Sequence, residues 1–215
     1  MPKSKDKQLM TPTSNSIPFG YRLLDKLDRP TKKMATRQEI CNLLLLPLFL
    51  VLFGLIADVT RQDYSSLEVL RAFDVAALSR QLLTIGWAVG ILAIGTCLHE
   101  AIHGCFVWIF SVKRTRFGIR SVRPYTALHP DAHVSRNQGL VIAVAPLAAI
   151  TVVGSAILPF VPFALVTALV LTIAANAPGS IEDFRVLVWL IRHHRYMRWG
   201  FDGSSNLAYE PAEYA

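Results

Sequence analysis

LLTIGWAVGILAIGTCLHEAIHGCFVWIF, residues 82–110, is long and apolar enough to cross a bilayer, yet it carries His99, Glu100 and His103 within five positions. A hydrocarbon core of roughly 30 Å takes about 20 apolar helical residues to span. An ionisable group near the middle of such a helix costs about 2.5–3.5 kcal/mol on insertion scales, so three together call for a compensating partner. Residues four apart on a helix share a face, and His99 and His103 can therefore present imidazole nitrogens to one tetrahedral zinc. Glu100 lies one step round, within reach of a water on that metal. This is the logic of a metallopeptidase: zinc activates the water and polarises the scissile carbonyl, and the glutamate takes the proton and hands it to the leaving amine. A satisfied polar contact between helices is the plainer alternative, and the HExxH spacing favours the metal.

The rest of the chain agrees with lipid as its solvent. Of 215 residues 53% are hydrophobic and 17% charged, which is too apolar for an ordinary soluble domain. Besides residues 82–110, the segments Cys41 to Ile56, Gly139 to Leu158 and Phe160 to Ala177 approach spanning length. The expected fold is an all-α membrane protein of about four transmembrane helices plus a cytoplasmic C-terminal helix. Residues 1–40 form a basic N-terminal segment, disordered to about residue 17, residues 41–178 the membrane domain, and residues 179–215 the helix and a tail. Cys41, Cys97 and Cys105 fall in or beside apolar segments and read as buried thiols, not as a disulfide framework.

The net charge of +7 is unevenly spread. Nine Lys or Arg precede the first span and six lie in residues 111–138, whereas the connection around Pro159 has none. Basic segments stay in the cytoplasm, so four spans with both termini inside, in the plasma membrane, satisfy the distribution. The bases follow topology and anionic lipid headgroups, and nucleic acid is not an expected partner.

Two imidazoles do not close a catalytic zinc site. The stretch NAPGSIEDFRVLVWLIRHHR, residues 176–195, offers Glu182 and Asp183 at the cytoplasmic end of the fourth span, at a depth similar to that of His103. The same residues fit a capping box, Ser180-Ile-Glu-Asp183, which would account for the acids without a metal. Asn176 fits a helix end equally well. A second cluster, HPDAH at 129–133, contains His129, Asp131 and His133, but Pro130 breaks the helical spacing, and a solvated turn is the expectation there. Between spans two and three, Phe117, Ile119, Tyr125 and Leu128, broken by Gly118 and Pro124, suggest a short β-hairpin at the membrane rim. Its edge could hold an unwound peptide by main-chain pairing, or the basic loop could simply lie on headgroups.

An HExxH in a transmembrane helix, a later helix of small residues with Pro146, and Asn176 followed by Asp183 resemble the zincin peptidase family of integral membrane proteins. More distantly the chain is similar to the site-2 class of intramembrane metalloproteases. The resemblance runs from about Leu92 to Ala215. It implies a Zn2+ held by His99, His103 and Asp183, Glu100 as catalytic base, and Asn176 near the substrate or the ligand carboxylate. In the site-2 class the ligand aspartate is followed by glycine; here Phe184 follows Asp183. The expected activity is zinc-dependent hydrolysis of a transmembrane or membrane-proximal peptide. A membrane protein that binds metal or substrate without turnover is the alternative, and only hydrolysis needs Glu100.

Overall fold

The computed structural model describes residues 17–71, 78–111, 115–120, 123–202 and 204–214. Most of the disordered tail expected at the N-terminus lies outside them. The fold is mostly helical, as expected. Among the described residues three helices are long and apolar enough to cross a membrane, or four if a bent pair counts as one span.

The first of them, α1, runs from Lys32 to Thr60, with Thr31 as its N-cap. Its 29 residues at 1.5 Å each give about 43 Å, more than a hydrocarbon core requires. Leu43, Leu44 and Leu48 are 72%, 69% and 61% exposed. Such a stripe would be a liability in water and is ordinary against lipid. A short α2, Ser66–Arg71, follows, and then α3, Leu78–Phe110, which carries the HExxH. Next comes α4, Arg136–Ile157, started by a complete capping box between Ser135 and Gln138. Two further helices, α5 (Phe163–Gly179) and α6 (Ile181–Ile191), meet at a bend of 43°. The acids of the sequence NAPGSIED thus stand at the start of a second helical piece, just past a break.

The expected hairpin is present as β2 (Thr115–Arg120) and β3 (Arg123–Leu128), paired antiparallel. It docks on α3 at Gly104, where a Cβ would lie 2.3 Å from the Phe117 ring, so the close approach depends on a missing side chain. Thr126 Oγ1 also donates to the Glu100 carbonyl at 2.8 Å.

The all-α expectation omitted a four-stranded antiparallel sheet of order β1-β6-β5-β4. Its strands are β1 (Tyr21–Leu27), β4 (Val134–Ser135), β5 (Arg198–Phe201) and β6 (Asn206–Pro211). It takes in part of the N-terminal segment and most of the C-terminal tail. Strands of two to seven residues carry too little alternation to be read locally, and β1 finds its partner at the other end of the chain. The pairing of β1 with β6 puts both terminal regions at one end of the molecule, with the hairpin and the start of α6. At the opposite end Arg61 grips Asp63 with Nε at 2.8 Å and Nη2 at 2.6 Å, while its Nη1 donates to the carbonyls of Leu158 and Val161 in the α4–α5 connection.

Two apolar cores result. One, built around Phe53, Ile150, Val170 and Ile173, joins α1, α4 and α5. The other, around Val107, Ile142, Trp189 and Trp199, joins α3, α4 and α6 to the sheet. The three cysteines depart from expectation: all are free and exposed on apolar helices. A thiol facing lipid needs no protein around it.

Helix α4 approaches α5 at Gly154, where a Cβ would meet Ile173 Cγ1 at 2.7 Å, and Ile173 is fully buried. Gly154→Leu should therefore overpack this contact and lower stability by about 1–3 kcal/mol. Reversible unfolding in mixed detergent micelles measures it, with Val152→Leu, on an exposed position of the same helix, as the control that should change little.

Candidate metal centre

The site forms where α3, α4, α5 and α6 converge beneath the sheet. Helical spacing puts His99 and His103 on one face of α3, their ring centroids 4.9 Å apart. Asp183, in the first turn of α6, meets both. Its Oδ2 lies 3.1 Å from His99 Nε2 and its Oδ1 lies 3.1 Å from His103 Nε2. One ligand-type atom from each of the three residues falls within 4.8 Å of the others, and theirs is the only such group among the described residues.

The other nitrogen of each ring is already committed. His103 Nδ1 donates to the Ile142 carbonyl at 2.9 Å, and His99 Nδ1 donates to Asn176 Oδ1 at 2.8 Å. The orientation of the Asn176 amide is fixed by its Nδ2, which donates to the Pro146 carbonyl at 3.4 Å. With Nδ1 protonated, each neutral imidazole turns an Nε2 lone pair towards a carboxylate lone pair. Such a confrontation is resolved only by a cation between the groups, either two protons or a metal. A tetrahedral zinc with arms of roughly 2.1 Å sets its ligands roughly 3.4 Å apart, close to the two His–Asp separations. The donor set of two imidazoles and a carboxylate, each imidazole anchored through its second nitrogen, therefore fits zinc.

The capping box expected at the start of α6 does not form, although both acids stand in its first turn. Ser180 occupies the N-cap position of α6 without a side-chain capping bond; its Oγ donates back to the Asn176 carbonyl at 2.9 Å. Glu182, one residue before Asp183, is exposed. Nor does HPDAH gather: His129 pairs with Asp131 at 3.4 Å on the surface, while His133 packs edge-on against Tyr209. Of the sequence-derived site residues, His99, His103, Asp183 and Asn176 come together. Asn176 touches a histidine and not the Asp183 carboxylate. The backbone carbonyl of Ile142 was missed, although Pro146 four residues on announces a helical carbonyl without its usual donor.

Glu100 lies one position round from His99 and, with His103 and Asp183, lines a cavity of about 810 Å³. The hairpin residues Ile119, Tyr125 and Thr126 form one wall. The link from β1 to α1, Asp28 to Pro30, forms another, held by Arg185, which donates to the Asp28 carbonyl. Behind that wall Asp25 accepts from Trp189 Nε1 at 2.7 Å and faces His193 Nε2 at 3.2 Å. The Trp189 hydrogen bond holds the Asp25 carboxyl below the usual carboxylate range. It ties β1 to the helix that bears Asp183.

Fold and site define a class: a helical protein with three to four candidate membrane spans, in which an HExxH helix and an aspartate from a later helix close on one point. Residues 92–197 match the sequence model of the family described as "Putative zincin peptidase". The matched segment begins within α3 and ends at Met197, so it contains the whole cluster, the hairpin and α4 to α6. It suggests zinc-dependent peptidase chemistry and agrees with the resemblance to the zincin family, over residues 92–197. No curated protein and no solved structure matches the chain.

Proposed function

We propose that the protein is a zinc metallopeptidase that hydrolyses peptide bonds at the membrane. The observation that carries this reading is the convergence of His99 Nε2, His103 Nε2 and both oxygens of Asp183 while each Nδ1 is tied elsewhere. These three residues would hold the metal. Bound there, zinc would supply Lewis acidity, polarising a peptide carbonyl and making a water acidic near neutral pH. Glu100, beside the ligands and open to the cavity, takes the proton of the attacking water and passes it to the nitrogen of the departing amine. Asn176 and the Ile142 carbonyl hold the two rings in register. The cavity admits a peptide rather than a folded chain, and the neighbouring strands offer main-chain pairing to a segment unwound from a helix. A transmembrane or membrane-proximal peptide is the substrate class that fits. A protein that only held metal would have no use for Glu100 in the cavity wall.

The deciding measurement is metal content. Wild type purified without chelator should carry close to one zinc per chain, and His99→Ala should carry almost none. A metal-free wild type would end the proposal.

The same reading places the site at the cytoplasmic face, from the distribution of Lys and Arg. In a cysteine-free background, a cysteine at exposed Gln62 should be labelled by an impermeant thiol reagent added outside intact cells. One at exposed Arg195 should be labelled only after permeabilisation. The opposite pattern would turn the site outward.

A further inference from the structure

In a helix the amide of residue 146 donates to the carbonyl of residue 142. Pro146 has no N–H, so the Ile142 carbonyl lacks its helical donor. Ile142 is 3% exposed and Pro146 is fully buried, which leaves the carbonyl to find its partner within the protein. The partner is His103 Nδ1, at 2.9 Å. The carbonyl of Pro146 itself accepts from Asn176 Nδ2, and Asn176 Oδ1 faces His99 Nδ1. One turn of α4 thus stands behind both rings of the HExxH motif, once directly and once through an asparagine.

We infer that Pro146 is a positioning residue of the metal centre: by withholding a backbone donor it keeps the Ile142 carbonyl for His103, which fixes that ring as the Nδ1–H tautomer with Nε2 free to ligate. The inference rests on the zinc reading for its purpose, but the tautomer is a property of the metal-free protein. In Pro146→Ala an amide N–H returns at position 146 and competes for the same carbonyl. His103 then divides between two tautomers, and the form protonated on Nε2 cannot bind a metal through that atom. Loss of such an outer hydrogen bond typically weakens metal affinity about 10–100-fold. Pro47, inside α1, is the matched control, a second helical proline far in sequence from the site.

The test has two readouts on the full-length protein in micelles. Zinc affinity is measured by chelator competition, and the ring nitrogens are observed by 15N NMR of histidine-labelled, metal-free protein above the titration range, with His103 assigned through His103→Gln. We expect wild type to show His103 protonated on Nδ1. Pro146→Ala should show an averaged or mixed pattern with zinc bound about 10–100-fold more weakly, and Pro47→Ala should match wild type in both. A wild-type His103 protonated on Nε2 with Nδ1 bare would overturn the inference without any variant, so it stays decidable even if Pro146→Ala does not fold. A Pro146→Ala protein with the wild-type tautomer and affinity would also overturn it, as would an equal loss in Pro47→Ala. If wild type binds no zinc, the peptidase reading fails, and the nitrogen spectra alone decide the role of Pro146.

Discussion

Asp183→Ala should lose zinc affinity by orders of magnitude, whereas Glu182→Ala should bind zinc almost as wild type does. Both acids sit in the first turn of α6 and see the same helix dipole, worth about 0.3–1 kcal/mol to either. A role in helix capping would therefore give two small and similar effects. Ligation gives a large difference, because Asp183 offers an oxygen 3.1 Å from each histidine while Glu182 is exposed. Removing one of three protein ligands leaves two imidazoles, which do not make a catalytic zinc site. Competition with a chromophoric chelator measures both variants on one scale. Equal affinities would remove Asp183 from the ligand set, and the reverse order would put Glu182 in its place.

Glu100→Gln should separate binding from turnover. The amide keeps the size of the side chain and cannot accept a proton from water, so a general base is lost while the ligands stay. General-base catalysis contributes typically about 10²–10⁴-fold to rate, and hydrolysis of a membrane-tethered peptide should fall by that factor with zinc still near one per chain. Zinc lost together with activity would make Glu100 part of the ligand set. A variant that still cleaves at the wild-type rate would leave the reaction without its proposed base.

The sequence displayed one half of the candidate site because that half is local. His99, Glu100 and His103 stand out through helical spacing and through the cost of placing them in an apolar helix, and both signals lie within one segment. Asp183 could be narrowed only to a pair of adjacent acids. Choosing between them needs the rotational phase of α6 against α3, which the bend after Gly179 sets and no local pattern reports. The Ile142 carbonyl was half legible: the proline spacing shows that a carbonyl is released but not which side chain receives it. Hydropathy located the candidate spanning helices, although α1 begins at Lys32, nine residues before the apolar run, because Thr31 caps it there. The sheet escaped notice for a different reason. Strands such as RWGF and the Val-Ser pair of β4 are too short to alternate, and their partners are remote in the chain.

That remoteness also orders the assembly of the protein. Arg22 on β1 and its partner Glu210 on β6 are 188 positions apart, so the ribosome has delivered α1 to α6 before the second strand exists. Contacts of such high contact order form late, since the closure entropy of a long loop must be met first. The helices can insert and associate one after another as they emerge, while β1 waits with its backbone unpaired. The wall that Asp28 to Pro30 contribute to the cavity hangs from that strand, so it is completed only once β6 has been made. A nascent chain stalled before Asn206 would thus hold all four residues of the HExxH and aspartate cluster in an enclosure with one side missing.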